Sequence, residues 1–493
     1  MTSPLLDLFL PAAQRAPEGP LIVRDGTVDR TYGSAFDRVR SLAGALQARG
    51  VGPGDRVSVQ LGKSPDVLDL YLATLWAGAV FHPMNPALSA DEAAFLVDDA
   101  QPALIVRSVD ALRELEADAA RAARMEEPVA RSANDLAALL YTSGTTGRPK
   151  GAMITHRNLA SNAEALVSAW GLRASDVLLH VLPLFHAHGL FVACNTALAA
   201  GMTIVWQDRF DPEAVAELLD VRSGIGTRPT VVMGVPTHYT RLLATPTFDR
   251  DVAGGLRLCI SGSAPLPASV HAEFAARTGH AILERYGMTE TQMITSNPLD
   301  GARLPATVGF ALPGVQVRVT DDDGIARTDG EPGGVEVRGP NVCAGYWGAE
   351  DRWAAEITDD EWFRTGDLGR LGPDGRLTLV GRAKDLIISG GENVYPAEVE
   401  RVIDELPGVA ESAVVGMPDP DFGELGLAVV VPDRCGPPVE PETVRDAVRG
   451  ELAGFKGPRL VVMADELPRN AMGKVQKAEL QRRYRSLWDA SLR

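Results

Sequence analysis

The sequence predicts an α/β protein of at least two domains, and three observations carry that prediction. Helical and strand-like patterns alternate from Thr31 to Leu283, as in a parallel sheet covered by helices. Beyond Gly309 the texture changes to short β segments with Gly, Pro and Asp turns, which reads as a smaller antiparallel region. At 493 residues the chain is too long for one core. Charge and glycine concentrate at Gly381 before a compact βαβ-like tail, so a boundary at Lys384 and Asp385 divides residues 1–384 from 385–493.

Taken in order, Thr31 to Gly50 reads as an amphipathic helix with Phe36, Val39, Leu42, Ala43 and Leu46 on one face. A Gly-Pro-Gly turn leads into a strand from Arg56 to Leu61, a helix from Pro65 to Ala77 and a short strand from Ala79 to Pro83. Gly62-Lys63-Ser64 imitates the end of a Walker phosphate loop, but the glycine that motif needs five positions earlier is Val57, so the match fails. Asp110 to Ser132 alternates Ala, Arg, Glu and Asp and is read as a solvated charge run. A helix is expected from Asn158 to Trp170. Further strands are expected at Val177–Leu182, Thr203–Trp206, Thr230–Gly234, Leu256–Ser261 and Ala281–Leu283, with helices at Pro212–Val221 and Pro267–Arg277. Val315–Thr320, Gly334–Arg338 and Leu377–Val380 are the short β segments of the antiparallel region.

Hydrophobic content of 45% and charged content of 23% are ordinary for a soluble globular chain. The net charge of −17 opposes nucleic-acid binding and adhesion to anionic membranes, so an anionic ligand needs a locally positive pocket. Met1 to Arg15 lacks the pattern of a signal peptide, and the most apolar window, Gly189 to Trp206, reads as a buried helix followed by a strand. Cys194, Cys259, Cys343 and Cys435 show no paired spacing, which points to a reduced, cytoplasmic protein. His186 and His188 lie close together, but no carboxylate or cysteine stands nearby at ligand spacing.

The segment Tyr141 to Gly151 gathers three glycines, four Ser and Thr hydroxyl side chains and Lys150 between the apolar run Leu136–Leu140 and the helix near Asn158. Glycines let backbone N–H groups approach phosphate oxygens, hydroxyls add donors or reach a metal, and lysine supplies charge. Alone, the segment reads equally as a solvated Gly/Ser/Thr loop.

Five further stretches follow in order: Pro183-Leu-Phe-His186, Ser261-Gly-Ser-Ala-Pro265, Glu284-Arg-Tyr-Gly-Met-Thr-Glu290, Trp362 to Asp367 with Gly381 to Asp385, and Pro468 to Lys474. Together with the loop they resemble the core motifs of the adenylate-forming acyl-CoA synthetases, from about Thr31 to Leu480. The resemblance implies the acyl-adenylate-forming fold. Its large N-terminal domain has two parallel-type α/β sheets plus a small β-barrel-like region, and its small mobile α+β C-terminal domain carries a catalytic lysine. It also implies a two-step reaction. A carboxylate attacks the α-phosphate of ATP to give an acyl-adenylate and pyrophosphate, and coenzyme A then displaces AMP to give a thioester.

By the same resemblance Thr142, Ser143, Gly144, Thr145, Thr146, Gly147 and Lys150 hold the outer phosphates, and Thr142 and Glu290 are the Mg²⁺ positions. Gly262, Ser263, Ala264 and Pro265, with Glu284, Arg285, Tyr286, Gly287 and Met288, form the nucleotide pocket, where Tyr286 stacks on adenine. Thr289 contacts the α-phosphate, Asp367 accepts the ribose hydroxyls and Arg382 is its cationic neighbour. Lys474 bridges the attacking carboxylate and the α-phosphate, with His186 also among the catalytic positions. A swing about Asp385 then withdraws Lys474 and brings Gly390, Gly391 and Glu392 to coenzyme A.

The acyl pocket is expected around His186, Ser261, Met288 and Arg241. Thr237 is the expected cap of a helix that carries Arg241 one turn in. An unpaired buried arginine is costly beside a hydrocarbon tail but suits a second carboxylate. Here the sequence looks most like malonyl-CoA synthetases, in which an arginine at the matching position pairs the distal carboxylate, so malonate or methylmalonate is the expected acid. A short- or medium-chain fatty acyl-CoA synthetase and a stand-alone adenylation enzyme are the alternatives. The expected partners are therefore small molecules, with no nucleic acid and no membrane span, in a monomer or homodimer.

Overall fold

The computed structural model describes residues 3–142, 149–220, 222, 226–390, 392–434, 436–470 and 473–491. The first helices form where the sequence supplies both a cap and an apolar stripe. Thr31 caps Tyr32–Ala48 in a reciprocal capping box with Ser34, and the helix buries Phe36, Val39, Leu42 and Leu46. Each of those side chains contributes about 1.5–3 kcal/mol on burial. Ser64 caps Pro65–Trp76, so the Walker-like triplet is a helix start. Lys63 turns away from any phosphate role, donating to the carbonyls of His180 and Gln207.

Two sheets dominate the first 311 residues. One has nine strands, and its parallel centre runs Leu283–Met288, Leu258–Ser261, Val231–Gly234, Val177–His180, Thr203–Trp206 and Pro20–Arg24. Antiparallel strands close its edges: Gln292–Ser296 and Phe310–Ala311 at one side, Thr27–Thr31 at the other. The second sheet orders Leu104–Val106, Arg56–Val59, Val80–Pro83, Leu136–Thr142 and Lys150–Thr155, all parallel except the last pair. Their shared core includes Trp76, Trp170 and Trp206. Gln316–Thr320, Gly333–Arg338, Phe363–Leu371 and Leu377–Arg382 make a four-stranded antiparallel sheet. A 3-10 turn, Ala383–Asp385, follows it and leads to a five-stranded sheet centred on Val409–Asp419 and Gly423–Pro432. Two core clusters in this last region contain only residues from Ile387 onward.

Several expectations are revised. Lys150–Thr155 is a strand paired antiparallel with Leu136–Thr142, so the glycine-rich segment joins two strands of a hairpin, and the helix His156–Ala169 starts only after it. The supposed solvated run contains the helix Val109–Ala119, which buries Leu112 and Leu115; its acids pair with the neighbouring helix through Arg38–Glu116 and Arg49–Asp118. The apolar window is, as expected, buried helix followed by strand: the π-helix His188–Cys194, the helix Asn195–Ala200 and the strand Thr203–Trp206. The helix Pro236–Leu243 starts after Val235 with no side-chain cap, so Thr237 lies inside it. Cys194, Cys259 and Cys343 are free and buried; Cys435 lies outside the described residues. Among the described residues no helix is long and apolar enough to cross a membrane.

Candidate functional site

The site lies where the carboxyl ends of the parallel strands meet the hairpin and the antiparallel sheet, the position at which open α/β sheets bind ligands. Ser261 ends one parallel strand, with its hydroxyl buried and without a partner among the described residues. The following loop depends on a small residue: a Cβ on Gly262 would lie 2.4 Å from the guanidinium carbon of Arg285. Ser263 adopts φ +71° and shares a hydrogen bond of 3.2 Å with His188 Nδ1. Glu284 accepts from the Leu266 N–H at 3.2 Å, so it braces the loop Gly262 to Pro265 from behind. Burial pushes its carboxyl up to about 8.

Tyr286 and Gly287 lie on the strand Leu283–Met288, which turns through Thr289, Glu290 and Thr291 into Gln292–Ser296. A Cβ on Gly287 would meet the Gln292 carbonyl at 2.0 Å, which restricts this turn to glycine. Tyr286 Oη donates to Asp367 Oδ2 at 2.6 Å, and Arg382 Nε sits 3.0 Å from Asp367 Oδ1. Asp367 and Arg382 are register partners on adjacent strands, so the ion pair is set by the sheet itself. Burial and the Asp367 carboxylate keep the Tyr286 phenol protonated.

Glu290 is buried, and burial raises its pKa. Tyr346 Oη donates to Glu290 Oε1 at 3.1 Å, while the face of the same ring takes Lys150 Nζ at 4.6 Å. Lys150 also reaches Glu356 at 3.3 Å, and its register partner is Thr142. Tyr346 was not singled out from the sequence; an aromatic residue in Gly345-Tyr346-Trp347 gave no reason to expect it between a lysine and a buried acid. Thr142 Oγ1 lies 3.5 Å from the Lys150 carbonyl, leaving the hydroxyl weakly engaged. A buried carboxylate and a hydroxyl, both oxygen donors, fit a hard divalent cation.

His186 and His188 are neutral. Burial, with Lys474 and Arg285 nearby, lowers His186 to about 3. Its Nδ1 accepts from the His188 N–H at 3.2 Å, so Nε2 carries the proton. Arg285 is 3% exposed, and its Nε and Nη2 have no partner among the described residues. Burial lowers it to about 10, which still leaves it a cation at neutral pH.

Lys474 comes from the last region yet reaches this same cleft. The residue as a whole is exposed, but loss of water around its ammonium and the cations Arg382 and Arg285 lower its pKa, against the pull of Asp367 and Glu290. Lys474, His186, Arg285, Glu290, Asp367 and Arg382 therefore occupy one electrostatic neighbourhood, locally rich in cations on an acidic chain.

The remaining expected residues lie on other elements, and the helix of Arg241 meets the Lys474 arm, where a Cβ on Gly473 would lie 3.7 Å from Thr237 Oγ1. Arg241 is exposed in the last turn of Pro236–Leu243; its carbonyl accepts from Thr245 Oγ1 at 3.1 Å, its side chain has no hydrogen bond or ion pair among the described residues, and His238 feels its charge. Gly390 and Glu392 belong to the hairpin Ile387–Ser389 and Glu392–Val394, whose hydrogen bonds run to Phe422 and Glu424 of their own region. Asp385 closes the 3-10 turn. Ser143, Gly144, Thr145, Thr146, Gly147 and Gly391 lie outside the described residues.

Residues 9–347 match the AMP-binding enzyme family and residues 398–474 its C-terminal domain. The chain belongs to the AMP-binding enzymes and has their adenylate-forming fold, a large N-terminal α/β domain followed by a small C-terminal one. More particularly, it is 44% identical to MatB from Rhodopseudomonas palustris. Against the ATP-bound crystal structure of that protein the TM-score is 0.92, covering 99% of this chain and 100% of that one; against its apo structure the TM-score is 0.82. It is also 39% identical over 479 residues to a feruloyl-CoA synthase of Amycolatopsis, covering 94% of this chain and 95% of the relative. The mitochondrial malonate–CoA ligase of Mus musculus is 35% identical over 507 residues, with 91% and 86% covered.

Proposed function

We propose that this enzyme is an AMP-forming carboxylate–CoA ligase whose acid is a short dicarboxylate, malonate or methylmalonate. The carrying observation is Arg285, a buried guanidinium with two nitrogens unpartnered. A buried cation without a counter-ion is costly, and a substrate carboxylate removes that cost by bidentate pairing. Arg285 depresses the pKa of both His186 and Lys474, so it stands close to the reacting centre, and a second carboxylate held there belongs to a short diacid. This reading moves Arg285 from the adenine pocket to the acyl pocket. Arg241, exposed one helix away, is left as a residue of the entrance.

Two anions must meet in the first step. The acid's oxygen forms a bond to the α-phosphorus while the bond to the β-phosphate oxygen breaks, releasing pyrophosphate. Lys474 neutralises the approaching carboxylate and α-phosphate, and Lys150 takes the outer phosphates. His186 donates from Nε2, and its depressed pKa keeps it from adding a competing charge. Asp367, fixed by Tyr286 and Arg382, receives the ribose hydroxyls. Mg²⁺, held by Glu290 and Thr142, would supply charge neutralisation on the phosphates. In the second step the coenzyme A sulfur bonds to the acyl carbon and AMP leaves. Lys474 has no role there, and a rotation about Asp385 would exchange it for the hairpin of Gly390 and Glu392.

Support for the acid comes from the mouse malonate–CoA ligase; the feruloyl-CoA synthase is a relative with a different acid. The test is pyrophosphate release with ATP, Mg²⁺ and coenzyme A across malonate, methylmalonate, butyrate, octanoate and ferulate. Turnover should be confined to the diacids, and a preference for any of the three monoacids would contradict the assignment.

A further inference from the structure

The arm that carries Lys474 is fastened at both ends. The Gln476 N–H donates to the Pro468 carbonyl at 2.8 Å, and the Asn470 N–H donates to the Lys474 carbonyl at 2.9 Å. The Lys474 N–H donates to Asn470 Oδ1 at 3.0 Å, and Gly473 turns the chain with φ +76°. Within this hairpin Arg469 forks: one terminal nitrogen donates to the Gly473 carbonyl, the other to the Glu411 carboxylate. Glu411 lies on Val409–Asp419, a strand paired along its length with Gly423–Pro432. Glu411 sits beside the register shift between Val409 and Glu411, and the fork ties the peptide beside Lys474 to the sheet of its own region. Just past the hairpin, Lys477 Nζ reaches Glu400 Oε1 at 2.8 Å, and the same oxygen accepts the Val414 N–H at 2.8 Å.

We propose that Glu411, acting through Arg469, is a positioning residue for Lys474 in acyl-adenylate formation and has no part in thioester formation. This rests on the reading of Lys474 as the lysine of the first step. The planar guanidinium can hold a carbonyl and a carboxylate at once, whereas a lysine in its place is a point charge without the fork. The side chains of Arg469 and Glu411 are 28% and 29% exposed, so the pair contributes little to global stability. Its effect lies in where it holds one peptide. A displacement of about 1 Å at a reacting group can cost about 100-fold in rate. Thioester formation, from which Lys474 is withdrawn, is insensitive to that displacement.

The two steps can be measured separately on the full enzyme, by ATP–pyrophosphate exchange and by coenzyme A-dependent consumption of synthetic acyl-adenylate, using whichever acid the release screen identifies. Glu411→Gln and Arg469→Lys should each lower the exchange kcat about 10- to 100-fold. The ATP KM and the second step should each change by less than about threefold, and the double variant should be no slower than the worse single one. Equal losses in both steps, or unchanged exchange in both variants, would overturn the proposal. Lys474→Ala separates the two levels: if it retains exchange, the reading of Lys474 itself fails. If it abolishes exchange while Glu411→Gln does not lower it, only the positioning role fails.

Discussion

Tyr286 donates its phenolic hydrogen to one oxygen of Asp367 at 2.6 Å while Arg382 holds the other oxygen at 3.0 Å. The carboxylate is thus fixed from two sides before any nucleotide arrives. Tyr286→Phe keeps the ring for stacking and releases one of the two constraints. The ATP KM should rise about tenfold, the value of one hydrogen bond to a charged group, with the acid KM unchanged in steady-state assays.

In the proposed first step Lys474 acts as a cation, and its surroundings lower its pKa. The rate of ATP–pyrophosphate exchange should therefore fall as pH rises through a value below that of a free lysine, while thioester formation from supplied acyl-adenylate shows no such limb. Lys474→Arg, whose guanidinium stays charged, should remove the alkaline limb from whatever activity it retains. A limb of the same midpoint in both proteins would assign the titration to another group.

Glu284 makes a stability prediction with a definite sign. The unfolded residue loses its proton near 4.5 and the folded one near 8. Between those values the native state holds a proton that the unfolded chain has released, so this group's contribution lowers stability as pH rises across the window and levels off above it. Glu284→Gln keeps an acceptor for the Leu266 N–H without the ionisation. It should gain Tm relative to the parent at pH 8.5 and not at pH 4.5, read by thermal denaturation at both values.

The local fold was legible because caps and stripes are short-range signals: Thr31, Ser64 and Pro65 mark helix starts that the structure keeps. The hairpin Leu136–Thr142 with Lys150–Thr155 was not, since Lys-Gly-Ala-Met-Ile-Thr is too short to announce a strand against the helix that follows. The cleft shows the same division. Motif order brought Asp367, Glu290 and Lys474 into one neighbourhood although 184 positions separate the last two from end to end. Arg241 and Arg285 could not be ranked from sequence, because burial decides which cation needs a counter-ion. Helix geometry leaves Arg241 exposed, whereas Arg285 sits on a strand under the Gly262 loop. Tyr346 reaches Lys150 and Glu290 through a bridge between Ala152 and Tyr346, a pairing no local pattern announces.

The central claim is that the buried guanidinium of Arg285, whose Nε and Nη2 have no partner among the described residues, selects a second carboxylate. The most direct measurement is the ratio of pyrophosphate-release kcat/KM for malonate over butyrate in the parent, Arg285→Met and Arg241→Leu proteins. The expected result is a parent that favours malonate and an Arg285→Met variant whose ratio falls at least about 100-fold, the cost of one charged bidentate contact. Arg241→Leu should stay within about threefold of the parent, since an exposed charge contributes little. A malonate preference that survives Arg285→Met, or one that collapses only in Arg241→Leu, would contradict it.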